Sequence, residues 1–152
     1  MIPAPSLLEA DGGARGGVAM DSTHDRPAVL LVDDEEALLR SVRLVLRAAG
    51  IDPVLTESDP CRVTARLQRE NVVLALLDIT MPRLNGEALL VELSQGFPEV
   101  GVIMLTATDD PDTAERCRRH GALDYLVKPV DRARLIAAVR QGLDTVQRCA
   151  VS

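Results

Sequence analysis

Five polar residues with side chains suited to phosphoryl chemistry stand at the ends of short apolar runs. Asp33 and Asp34 follow AVLLV at 28–32, Asp78 follows VVLALL at 72–77, Thr106 follows VGVIML at 100–105, and Lys128 follows LDYLV at 123–127. A carboxylate can act as a nucleophile and carry an aspartyl phosphate. A cation, an ammonium and a hydroxyl can hold and neutralise the phosphoryl oxygens around it. Lys128 is the one lysine among seventeen basic residues, the rest being arginine. A bias toward arginine accounts for the sixteen and does not account for where the exception falls.

Three carboxylates gathered in one pocket repel. Two unit charges about 4 Å apart cost roughly 4 kcal/mol at an effective dielectric near 20. One lysine offsets part of this, and protonation or a bound cation must supply the rest. An all-oxygen cleft suits Mg²⁺, with Mn²⁺ an alternative. Asp78 stands alone after its run and is the candidate nucleophile, facing the acid pair and the lysine. Asp33 and Asp34 are the candidate metal holders, one directly and one through water. Taken singly, each residue has a plain reading: Asp33-Asp34 as a solvated turn with a helix N-cap, Thr106 as a loop hydroxyl. Their conjunction at strand ends favours the chemical reading.

The elements that must position these residues alternate regularly. Apolar runs lie at 28–32, 52–56 (weak), 72–77, 100–105 and 123–127. Short runs apolar at every position fit strands buried on both faces. Between them lie helical stripes: Leu38, Leu39, Val42, Val45 and Leu46; Leu89, Leu90 and Leu93; Leu135, Ile136, Val139 and Leu143. Asp59-Pro60 and Asp110-Pro111 place an acidic cap before a first-turn proline, and Asp131 caps the last helix. Gly50 and Gly121 sit where left-handed helix ends belong. The order βα five times over predicts an α/β fold: a doubly wound five-stranded parallel sheet, order 2-1-3-4-5, flavodoxin-like. Ligands of such sheets bind beyond the carboxyl ends of the strands, between strands 1 and 3, where the polar residues above converge.

Length and composition bound the rest. The chain has 152 residues, 47% hydrophobic and 26% charged, with a net charge of −6, which suits one domain. Residues 1–27, rich in Pro and Gly, read as a flexible N-terminal tail and 28–149 as the folded domain, with no output domain expected. No run reaches membrane-span length and no leader is legible, so no membrane association and a cytoplasmic location are expected. Cys61, Cys117 and Cys149 form no metal or disulfide pattern. They read as reduced thiols, with Cys117 and Cys149 filling packing gaps. The acidic balance and the two aromatics, Phe97 and Tyr125, argue against direct nucleic-acid binding. Arg116, Arg118, Arg119 and His120 cluster at the end of the fourth helix, where cations are favourable. A partner-docking surface is the sharper reading of that cluster.

VLLVDDEE, LLDITMPRLNGEAL, VIMLTA and DYLVKP, in that order, resemble the receiver domain of bacterial two-component response regulators, over about residues 28–147. The resemblance implies Asp78 as phosphoacceptor, Mg²⁺ on Asp33, Asp34, Asp78 and the Thr80 backbone carbonyl, and Thr106 and Lys128 on the phosphoryl group. It implies a switch pair, Thr106 and Tyr125, and a cis peptide bond at Lys128-Pro129. It also implies a histidine kinase or histidine phosphotransfer protein as donor, a protein partner for the helix 4, strand 5 and helix 5 face, and room for a phosphorylation-linked homodimer. The domain would be a signalling phosphoacceptor that assists its own phosphorylation and dephosphorylation, not an enzyme of turnover. The wording is similar to receivers of sigma-54 activators and hybrid kinases.

Two rivals differ in class. A haloacid-dehalogenase-like phosphatase also uses an aspartyl nucleophile with Mg²⁺, but places it after the first strand. A receiver-fold binding module that is never phosphorylated would not need the full set of acceptor, acid pair, Thr and Lys.

Overall fold

A computed structural model describes residues 26–79, 85–107 and 109–151. All but the last two residues of the 1–27 tail, together with Thr80, lie outside the described residues. Five strands alternate with helices: β1 (Ala28–Val32), α1 (Glu36–Ala48), β2 (Val54–Glu57), α2 (Val63–Arg69, after a short 3-10 turn, Pro60–Arg62), β3 (Val72–Asp78), α3 (Gly86–Gly96), β4 (Gly101–Thr106), α4 (Pro111–Arg119), β5 (Asp124–Val127) and α5 (Arg132–Val151). The strands form one parallel sheet, order β2-β1-β3-β4-β5, as the alternation predicts.

The two-residue period of a strand divides its side chains between the two faces of the sheet. Val29, Leu31, Leu74, Leu76, Ile103 and Leu105 share one core. Leu39, Val42 and Leu46 of α1 and Leu135 and Val139 of α5 close that core. The alternate residues, Leu30, Val32, Ala75, Leu77, Val102 and Met104, face α2, α3 and α4, with Leu67, Leu89, Leu90 and Leu93. Each fully buried leucine contributes about 1.5–3 kcal/mol of apolar transfer free energy.

The helix ends follow the capping residues. Asp59 and Asp110 accept backbone N–H bonds from Cys61 and Asp112, and Asp131 accepts from Arg134 at 3.2 Å. Gly50 and Gly121 have φ of 89° and 103°, just past α1 and α4. Two details depart from expectation. β2 begins two residues later than the 52–56 run, after a proline that cannot donate to the ladder. Cys117 is buried in the α4-side core, whereas Cys149 is exposed on α5 and fills no gap. None of the described helices is long and apolar enough to cross a membrane.

Candidate functional site

The ladder places the site one rung at a time. Val32 pairs with Leu77, so Asp33 and Asp78 leave neighbouring strands side by side. Asp78 pairs with Leu105, and the Ile79 amide donates to the Leu105 carbonyl at 3.2 Å, which brings Thr106 alongside. Thr106 pairs with Val127, and the Lys128 amide donates to the Thr106 carbonyl at 2.6 Å. Four polar residues at the ends of four apolar strands thus share one edge.

The pleat divides them into two groups. Asp33, Asp78 and Lys128 continue the rows that face α1 and α5, and they meet. Lys128 Nζ lies 2.8 Å from Asp33 Oδ2 and 3.6 Å from Asp78 Oδ2. Thr106 and Tyr125 continue the rows that face α3 and α4, and their side chains are hydrogen-bonded to each other.

Burial sharpens the electrostatics. Asp33, Asp78 and Thr106 are all buried, and Asp34 is exposed. Carboxylate oxygens of Asp33, Asp34 and Asp78 lie within 4.8 Å of one another. Burial acts against the Lys128 charge, but the hydrogen bond to Asp33 and the charges of Asp33 and Asp78 outweigh it, so its pKa is raised. Lys128 therefore stays cationic, and three carboxylates face one ammonium. The donor set, all oxygen and net negative, fits a hard divalent cation such as Mg²⁺. Asp33 also braces the turn into α1, its Oδ1 accepting the Glu35 amide at 3.0 Å. The N-cap residue is Glu35, which has no side-chain capping bond, and Asp33 is buried, so the plainer reading of a solvated N-cap does not describe Asp33. The Tyr125 phenol is buried, which pushes its pKa up, and the bond to Thr106 pulls it back only in part. The Lys128-Pro129 peptide bond is cis, and so is Asp52-Pro53, which the sequence did not suggest.

Two residues outside the expected site set bear on the site. Gly86 opens α3 against the strand that carries Asp78, and its amide donates to the Ile79 carbonyl at 2.7 Å. A Cβ there would stand 2.2 Å from the Asp78 carbonyl oxygen. The glycine belongs to the N-G step of LLDITMPRLNGEAL, one of the segments that carry the family resemblance. The other is Glu57, a buried acid ending β2, whose carbonyl accepts the Asp33 amide at 3.2 Å. The α4 cations are exposed, and Arg116 reaches α3 through a two-point pair with Glu87. An apolar groove of about 420 Å³ opens beside Lys128, lined by Leu38, Ser41, Val45, Pro129 and Val130 among others.

Residues 29–140 match the family model for the response regulator receiver domain. The alginate biosynthesis transcriptional regulatory protein AlgB of Pseudomonas aeruginosa is 38% identical over 122 residues, covering 78% of this chain and 27% of that protein. The transcriptional regulatory protein ZraR of Escherichia coli K12 is 34% identical over 122 residues, covering 80% of this chain and 27% of its own length. The chain thus spans about a quarter of these curated relatives. Among solved structures, the receiver domain of a putative LuxO repressor protein from Vibrio parahaemolyticus superposes with a TM-score of 0.78 at 27% identity, covering 83% of this chain and 96% of that one. A CheY-like receiver domain from Methanospirillum hungatei gives 0.74 at 28%, covering 80% and 97%. Neither rival class is favoured by these matches. The strand order, the acid edge and the family match agree: the chain belongs to the response regulator receiver domain family of two-component signalling.

Proposed function

We propose that Asp78 accepts a phosphoryl group from a phosphohistidine on a histidine kinase or histidine phosphotransfer protein, with Mg²⁺ held by Asp33, Asp34 and Asp78. The observation that carries this reading is the convergence of three carboxylates and Lys128 at one sheet edge. The family resemblance adds the Thr80 backbone carbonyl as a further metal ligand. Bound Mg²⁺ supplies positive charge for the carboxylates and for the phosphoryl oxygens. An Asp78 oxygen attacks phosphorus. The O–P bond forms as the P–N bond breaks, the departing imidazole nitrogen keeps the electron pair, and the ring's other nitrogen carries the proton. Lys128 then leans toward the phosphoryl oxygens, and Thr106 donates its hydroxyl to one of them. The same groups assist later hydrolysis.

Tyr125 already packs inside against Thr106, so a turn of the threonine toward the phosphoryl group is felt at once by the tyrosine. The two shift a pre-existing equilibrium in the surface of α4, β5 and α5, where a downstream protein reads the state. A full reversal from off to on takes about 5.5 kcal/mol of differential stabilisation. The donor protein approaches along the apolar groove that Lys128 and Glu35 line at one end of α1, because Lys128 also bonds Asp33 of the acid cluster. This reading places the chain in the bacterial cytoplasm.

Intact-mass spectrometry after incubation with acetyl phosphate, with and without Mg²⁺, tests the core of it. One phosphoryl gain is expected in wild type with Mg²⁺, and none in Asp78→Ala. A gain that persists in Asp78→Ala would name the wrong nucleophile.

A further inference from the structure

Asp33 is held from two sides. Its carboxylate accepts from the Glu35 amide and from Lys128, and its own amide donates to the Glu57 carbonyl at 3.2 Å. The direction of its carboxylate therefore depends on where Glu57 stands. Glu57 ends β2, which is four residues long and lies at the edge of the sheet. The last rung of a short edge strand has no neighbour on its outer side to hold it.

Side chains supply what the ladder lacks. Arg66 of α2 donates from Nη1 to the Thr56 carbonyl at 3.1 Å and to Glu57 Oε1 at 3.2 Å. Its Nε pairs with Glu70. The other carboxylate oxygen of Glu57 accepts the Asp59 amide at 3.0 Å, which fixes the turn leaving the strand. The Glu57 side chain is only 8% exposed. A buried carboxylate carries a desolvation cost that an apolar residue of similar size would avoid. Here both of its oxygens are engaged in holding the strand end. Glu57 is not part of the metal cluster, which among the described residues comprises Asp33, Asp34 and Asp78.

We infer that Glu57, clamped by Arg66, is a positioning residue that sets Asp33 for cation binding. This rests on the Mg²⁺ reading of the acid cluster. Its effect is carried through backbone, from the clamped strand end to the Asp33 amide and on to the carboxylate.

The test is titration of the unphosphorylated protein with Mg²⁺ alone, followed by calorimetry or amide chemical shifts, beside thermal melts without metal. Glu57→Gln keeps the shape but cannot accept on both sides. Its Mg²⁺ affinity should fall about tenfold, the low end of what loss of a group orienting a metal ligand costs. Glu70→Gln removes only the outer leg of the Arg66 pair. It should lower the melting temperature while leaving Mg²⁺ affinity within about twofold of wild type. If Glu57→Gln does not fold, Arg66→Met keeps the apolar stem but removes the Nη1 donor shared by Thr56 and Glu57, and the same loss of affinity is expected. Folded variants that melt lower yet bind Mg²⁺ as wild type does would make the clamp structural only and overturn the inference. A wild-type protein that does not respond to Mg²⁺ would overturn the metal reading itself, which separates the two failures.

Discussion

Lys128 hydrogen-bonds Asp33 at 2.8 Å and stands 3.6 Å from Asp78, so the ammonium rests on the acid pair's side of the pocket. It occupies part of the electrostatic space a divalent cation would fill. Lys128→Ala should therefore separate two properties that a simple loss of structure would change together. Mg²⁺ affinity should rise roughly tenfold, since one positive charge no longer opposes the ion. Phosphorylation by acetyl phosphate at saturating Mg²⁺ should fall on the order of a hundredfold, the usual effect of deleting a donor aimed at developing negative charge. Calorimetry and a mass-spectrometric time course read the two. A parallel fall in both would mean that Lys128 only holds the pocket together.

Gly86 sets how closely α3 approaches the strand that carries Asp78. An added Cβ would lie 2.2 Å from the Asp78 carbonyl oxygen and 2.6 Å from the Ile79 Cα, both backbone atoms that cannot swing away. Gly86→Ala should destabilise the fold by about 3 kcal/mol, at the upper end of overpacking costs. Any folded fraction should be phosphorylated slowly, because the Asp78 peptide must shift. Urea unfolding and the acetyl phosphate assay check this. Wild-type values in both would show that α3 can back away at little cost.

The groove beside Lys128 yields a prediction about the donor. Ser41 is exposed on α1 and lines that groove, so a larger residue there should leave the core intact. Ser41→Arg should slow transfer from a phosphohistidine protein by about tenfold, the equivalent of one unfavourable contact of 1.4 kcal/mol. Acetyl phosphate, which needs no docking surface, should phosphorylate it at the wild-type rate. Equal slowing with both donors would place the effect in the pocket and not in the groove.

The chemistry at the sheet edge was legible because a strand buried on both faces must turn polar where it ends. Asp33, Asp78, Thr106 and Lys128 are those first polar residues. That Asp78 would face the acid pair and Lys128 was legible from the strand ends, and the family resemblance implied the Thr106–Tyr125 pair. The distances depend on pleat and register, which set Lys128 closer to Asp33 than to Asp78. The apolar run at 52–56 stops one residue short of Glu57, so no periodicity marks that acid. Pro53 delays the strand, and Glu57 becomes its last rung. The Arg116–Glu87 pair joins residues 29 apart on two helices, and neither helix's periodicity indicates it.

Tyr125 can be followed spectroscopically without interference, since the chain has one tyrosine and no tryptophan. Burial raises its pKa above the usual phenol value, and the hydrogen bond to Thr106 lowers it by less. The phenolate absorbance of the folded protein should therefore have its midpoint above about 10, the ordinary tyrosine value. A folded-state pKa above the unfolded one means a stabilising contribution that is complete below about pH 10 and lost as pH rises through the folded value. Circular dichroism recorded alongside must show that the fold persists through the midpoint. Thr106→Val removes the bond that favours the phenolate, so its midpoint should move further up. A wild-type midpoint at the ordinary value would place the ring outside in solution, and with it the Thr106 contact on which the proposed switch depends.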